Sequence, residues 1–369
     1  MFKRRHLLQA GMLIAAPALG KELEMNFPRD FGAHNETALE WWYLTGILND
    51  ALGSDTRNDT RNDTGKARYG YQLTFFRVKG PAAAANHPSA FAARQLLLGH
   101  VALSDLKAGR LRHDQRTART GFNLAEASSA DTDVRMGDWS LRRTGDGYQA
   151  SLRSASQGFA LDLQLKTSQP VLLQGDQGLS RKGPQPGQFS HYYSQVQLLT
   201  QARLAVDGKP PVSLQGRSWL DHEWSDQLMG VAGPDQAVGW DWAGLNLDDG
   251  GALTIFRLRR ADGSVLWAGG SWRKPGGSTQ DFKPGDVVMT PLRRWHSPTS
   301  QADYPVEWSL QTPLGSLTLK ALIDAQEIDA RLSTGMRYWE GAAALRSADG
   351  KPLGHGYLEL TGYAGRMSF

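Results

Sequence analysis

Apolar and polar residues alternate with a period of two through short segments separated by Gly, Asp, Asn or Pro. YGYQLTFFRV (69–78), GFALDLQL (158–165), YYSQVQLL (192–199), GALTIFRLRR (251–260), YPVEWSLQT (304–312) and GSLTLKALI (315–323) all read this way. Successive side chains of a strand point to opposite faces, so the pattern predicts strands. Asp-Gly pairs join strand-like runs in NLDDGGALTIF, RADGSVLW and SADGKPLGHGYLELTG, a tight-hairpin signal. Helical periodicity is scarce. The expected fold class is all-β, built from antiparallel hairpins in barrels or sandwiches.

A chain of 369 residues exceeds one ordinary core and implies two domains. DGKPPVSLQG (207–216) reads as a turn near their boundary, giving domains 21–206 and 207–369 after a leader at 1–20. HNETALEWWYLTGIL (34–48) opens the first half and GRSWLDHEWSDQ (216–227) the second; each sets acids and His beside Trp, a faint internal echo. SDTRNDTRNDTGKAR (54–68) reads as a hairpin loop lengthened by a small duplication. Segment 80–105 is expected to carry a short helical turn or lid, and KGPQPGQFSHYY (182–193) a Pro/Gly-rich crossing.

The leader, MFKRRHLLQAGMLIAAPALG, has a basic start at Lys3, Arg4 and Arg5, a short apolar run and a small-residue APA cleavage pattern. Arg4–Arg5 points to twin-arginine export, hence to the periplasm or a secreted protein, with no transmembrane segment in the mature chain. Without the leader the net charge falls from +4 to +1, so no basic stripe for nucleic acid or polybasic membrane patch is expected. The absence of cysteine excludes disulfides, thiolate nucleophiles and Cys-ligated metals. Nothing in the sequence sets an oligomeric state.

Twelve Trp, ten Tyr and twelve Phe are the compositional oddity and point to barrels, clefts or ligand walls. SWLDHEWSDQ (218–227) packs two carboxylates, Asp221 and Glu223, and an imidazole between Trp219 and Trp224, with a third carboxylate at Asp226 just beyond, and GWDWAGLNL (239–247) sets Asp241 between Trp240 and Trp242. His34, Glu36, Glu40, His222 and Glu223 offer metal-ligand atoms, but without the helical spacing of a zinc protease, and no metal is expected. No G-x-S-x-G elbow or dinucleotide fingerprint is present, so neither a serine hydrolase nor a bound cofactor is expected. What remains is acid–base work in an apolar cavity: a carboxyl desolvated by indoles stays protonated and can act as a general acid. The candidate catalytic residues are Asp241, His222 and Asp221. The candidate ligand walls are Trp224, Trp240, Trp242, Trp41, Trp42, Tyr43, Tyr192 and Tyr193. The competing reading is that the polar groups satisfy turn backbones while the rings fill the core. In a strand, moreover, Asp241 faces away from Trp240 and Trp242.

EWWYLTGIL, YGYQLTFFR, GLSRKGPQPGQFSHYYS, WLDHEWS, GWDWAGLNLDDG and MRYWEGA…GYLELTGY together resemble the carotenoid 1,2-hydratase-like, AttH-like secreted proteins, often labelled secreted hydrolases. The similarity runs from Phe27 to Tyr363. The resemblance implies two lipocalin-like β-barrel domains in tandem. It also implies that His222 and Trp224 match the His-x-Trp of the hydratase branch, which protonates a terminal isoprenoid double bond. The same resemblance implies Asp241 as the branch's downstream acid, although acid and aromatic residues alternate differently around it here. The expected partner is an elongated hydrophobic small molecule, isoprenoid or lipid-like, hydrated or isomerised without a cofactor. The alternatives are a lipid carrier, such as an accessory protein of an ABC transporter, or an interaction module.

Overall fold

The computed structural model describes residues 24–51, 67–81, 84, 87–89, 91–230, 233 and 235–366. The expected leader, nearly all of the 54–68 repeat and part of the expected helical turn or lid lie outside them. Among the described residues no helix is long and apolar enough to cross a membrane.

The chain is nearly all β. Among the described residues thirteen strands form one antiparallel sheet and ten form another, each curled into a barrel-like unit. Trp42, Leu44, Trp139, Leu161 and Leu220 belong to the core of the first, and Leu245, Trp308, Leu319 and Trp339 to the core of the second. A third cluster, including Tyr43, Ile47, Trp219, Trp242, Phe256 and Tyr357, joins the two where their outer faces meet. The alternating runs appear as strands Tyr69–Lys79, Phe159–Lys166, Ala252–Arg259, Asp303–Thr312 and Gly315–Ala321. The 192–199 run lies inside the longer strand Phe189–Val206, which carries a bulge between Gln195 and Leu198.

The expected domain boundary falls elsewhere. Asp207 and Gly208 both have positive φ (53° and 70°), and Lys209 N–H donates to Val206 O across them, a tight turn at the start of the loop 207–211. That turn returns the chain as Val212–Ser225, which pairs with both Phe189–Val206 and Leu39–Asp50 in the middle of the first sheet. The chain passes to the second sheet between Ser225 and Gly239. Segment 207–216 is therefore a hairpin within the first unit, and the HEW run belongs to it.

The strands at the junction are buried on both faces. Leu39–Asp50, Val212–Ser225, Gly239–Leu247 and Met336–Ser347 carry almost continuous runs of buried residues there. One face of each lines its own barrel; the other lies against the opposite sheet. Alternation then sends consecutive residues into two different interiors.

Candidate functional site

Strand Val212–Ser225 divides the DHEW run in this way. Leu220, His222 and Trp224 share the barrel-side face with Trp42 and Glu40, while Trp219, Asp221 and Glu223 share the outer face with Tyr43 and Trp41. The neighbouring strand follows suit: Tyr193 lies opposite His222, and Tyr192 and Ser194 opposite Glu223 and Asp221. Two polar clusters result, back to back.

The barrel-side cluster is a closed charge network. Glu40 Oε1 lies 2.8 Å from both His34 Nδ1 and His222 Nε2, and its other oxygen accepts from Arg77 Nε at 2.6 Å. His34 Nε2 lies 3.2 Å from Asp30 Oδ1, so both nitrogens of His34 face carboxylates. Only a doubly protonated ring donates to both. Burial opposes that charge, but the hydrogen bonds to Asp30 and Glu40 outweigh it and raise the pKa of His34. Burial likewise opposes ionisation of Glu40, yet the bonds from His222 and His34 and the Arg77 charge hold it well below the usual carboxylate range. His222, fully buried, has its pKa lowered by burial; its Nε2 faces Glu40 and its Nδ1 lies 3.0 Å from the Tyr193 hydroxyl. Trp224 stacks on His34 with ring centroids 3.6 Å apart and planes 10° apart. The ligating atoms of His34, Glu40 and His222 lie within 4.8 Å of one another. The ring nitrogens of His34 and His222 and the oxygens of Glu40 are matched among themselves and to Asp30, Arg77 and Tyr193, so the set reads as a structural network.

The outer cluster lines a cavity of about 60 Å³ between the two sheets. Its walls are aromatic: Trp41, Tyr43, Phe76 and Tyr192 from the first sheet, Trp240, Trp242, Phe256 and Tyr338 from the second. Four carboxyl groups open onto it, Asp221 and Glu223 from one side and Glu340 and Glu359 from the other. Among the described residues that line it, Lys182 is the only Lys or Arg, and its ammonium lies 3.0 Å from Glu223. Asp221 is 3% exposed and accepts from Ser194 Oγ at 2.5 Å and Trp219 Nε1 at 2.7 Å, both on Oδ1. Burial raises its pKa to about 8 against those bonds, so the carboxyl is protonated at neutral pH. Oδ2 takes neither bond and is the oxygen left to carry the proton. Burial also raises Glu359 to about 7, and burial with the Glu359 charge lifts Glu340 well above its ordinary value.

Six of the expected site residues therefore meet at this cavity: Asp221, Trp41, Tyr43, Tyr192, Trp240 and Trp242. His222, Trp224, Trp42 and Tyr193 do not; they face the first barrel. Asp241 is a correction. It does not line a cavity with Trp224. It is fully buried on the second barrel's side of its strand, 2.6 Å from Arg257 Nε, 3.1 Å from Arg259 Nε and 2.8 Å from the Tyr363 hydroxyl. Asp241 is thus held between two guanidinium groups as part of a buried ion-pair cluster.

Lys182, Glu223, Glu340 and Glu359 belong to the cavity and were not among the expected site residues. Glu340 and Glu359 pair directly across two strands, in the RYWEGA and GYLELTG motifs. The available signal was a carboxylate set inside each otherwise apolar strand. A wider, open cleft of about 1230 Å³ lies elsewhere along the junction; Trp219 lines it and hydrogen-bonds Asp221 of the smaller cavity.

Comparison with known proteins agrees with this architecture. A crystal structure described as an AttH from Nitrosomonas europaea is 40% identical, with a TM-score of 0.80 over 94% of this chain and 99% of that one. Kievitone hydratase from Nectria haematococca has a TM-score of 0.64 over 92% of this chain and 94% of that one; at 14% identity the likeness is one of fold. No curated protein sequence matches the chain. The match to the AttH-like family model extends over residues 18–363, and the chain belongs to that family.

Proposed function

We propose that the chain binds an apolar, unsaturated ligand with its reactive end in the cavity between the sheets, and adds water to a double bond there by acid catalysis. The observation that carries this is Asp221: a carboxyl buried among aromatic rings, protonated at neutral pH, on the wall of a cavity. The Asp221 proton forms a new C–H bond with one alkene carbon and leaves a cation on the other. Indole and phenol faces stabilise that cation. Water forms the C–O bond, and the proton it sheds returns to the Asp221 carboxylate. The cycle balances without a cofactor. The fold shared with kievitone hydratase supports the reading by analogy of architecture alone.

The cavity is far smaller than the ~300 Å³ at which pockets begin to enclose a drug-sized ligand. An elongated ligand would place one end here. Its body would lie elsewhere along the junction.

Apolar compounds that co-purify with the full chain can be extracted and incubated with it in D2O. Water addition or carbon-bound deuterium, lost in Asp221→Asn, is the expected result. A co-purified alkene that the wild-type protein binds and returns unchanged would overturn the reading and leave a lipid carrier.

A further inference from the structure

We propose that the same cavity has a seat for a compact cation, an alkylammonium group carried on an apolar body, at Glu340, Glu359 and Tyr43. Four carboxyl groups around one small cavity would not by themselves point to a ligand. Two buried groups without a well-formed hydrogen bond do. Glu340 Oε1 and the Tyr43 hydroxyl line the cavity and face each other, yet neither meets a partner in hydrogen-bond geometry. A buried polar atom without a partner costs about 1–3 kcal/mol, and an ammonium group carries three N–H donors.

The molecule already contains one such seat, filled from its own chain. The Lys182 ammonium lies 3.0 Å from Glu223, with its nitrogen 4.5 Å from the Phe256 ring centroid and 4.9 Å from that of Tyr192. A carboxylate and ring faces together hold a cation out of water. Glu340 and Glu359 pair across their strands, with Tyr43, Trp41 and Trp242 on the same cavity wall. They repeat the chemistry of the Lys182 seat, and among the described lining residues no Lys or Arg other than Lys182 is present to serve them. The cavity admits an ammonium and its first carbons, not a bulky head group.

Ammonium entry is linked to proton release. Glu340 faces Glu359, Tyr43, Tyr338 and Tyr357; Glu359 also feels Glu223, and Asp221 feels Glu223 and Tyr192. Burial raises Glu359 to about 7 and Glu340 well above its ordinary value, so the pair still holds a proton at pH 7. An arriving cation favours the ionised form, so one of them gives up its proton to solvent.

The probes are hexylammonium, hexanol and hexanoate, titrated calorimetrically into the full chain in two buffers of different ionisation enthalpy. Hexylammonium should bind at least about tenfold more tightly than hexanol at pH 7, with about one proton released. Its affinity should rise roughly tenfold per pH unit between pH 5 and 7. Glu340→Gln should weaken hexylammonium about tenfold or more and leave hexanol within threefold; Tyr43→Phe should weaken hexylammonium alone, by less. If Glu340→Gln does not fold, the wild-type comparison decides. Hexanol or hexanoate binding as tightly as hexylammonium, or hexylammonium binding without proton release, would overturn the proposal. It does not rest on turnover. A chain that binds hexylammonium and hydrates nothing fails only the hydration reading; one that hydrates an alkene and prefers hexanol fails only this one.

Discussion

Replacing Asp221 by Asn should stabilise the protein at neutral pH while removing its proton donor. In the unfolded chain the carboxyl titrates near its ordinary value of about 3.9, whereas burial holds it at about 8 in the folded protein. Between those values the folded state binds a proton that the unfolded state has released. Stability therefore falls as pH rises from about 4 to 8. At about 1.4 kcal/mol per pH unit, the three units from 3.9 to 7 cost roughly 4 kcal/mol. Asn has the shape of the protonated acid, keeps a carbonyl for Ser194 and Trp219, and does not titrate. The difference in unfolding free energy between Asp221→Asn and wild type should thus be small near pH 4 and grow with pH, to several kcal/mol in favour of the variant by pH 8. Urea unfolding at four pH values, followed by near-ultraviolet circular dichroism, measures it. Turnover per folded molecule should drop by roughly 10²–10⁴-fold, the usual contribution of a positioned acid. A stability difference that does not change with pH, or one that grows against the variant, would refute a protonated Asp221.

The Asp30–His34–Glu40 network should be strongest in mildly acidic solution. The raised pKa of His34 contributes stability present below about 6.5 and lost as pH rises through its folded value. The lowered pKa values of Asp30 and Glu40 contribute stability present above about 4 and lost as pH falls through theirs. Because Trp224 stacks on His34, the fluorescence lost in Trp224→Phe should increase as His34 deprotonates; a signal flat from pH 5 to 9 would rule out a cationic His34. Asp241→Asn should cost about 3–5 kcal/mol by leaving Arg257 and Arg259 without their buried anion, yet keep turnover per folded molecule within a few-fold; a loss of turnover without loss of stability would restore Asp241 as the acid. Replacing Arg4 and Arg5 by Lys should trap the precursor in the cytoplasm, read by cell fractionation, whereas undiminished export would reject the twin-arginine route.

The all-β class, the hairpins and several strand positions could be read from residue order because they depend on local physics. Period-two alternation selects strands, and Asp207–Gly208 adopts the positive φ that a tight turn requires. The same rule warned that Asp241 and its flanking tryptophans would part. What residue order could not supply was which side of a strand meets which interior. Near the junction both faces are buried, so the polar/apolar contrast that normally marks a solvent side is missing, and His222 and Asp221 look equally enclosed. Only the pairing of Val212–Ser225 with Leu39–Asp50, and the packing of that sheet on the other, sends His222 into a charge network with Glu40 and Asp221 into an aromatic cavity. Glu340 and Glu359 reach that cavity from more than a hundred residues away in sequence. A carboxyl's protonation depends on what surrounds it in space, and for these groups the surroundings come from the opposite sheet.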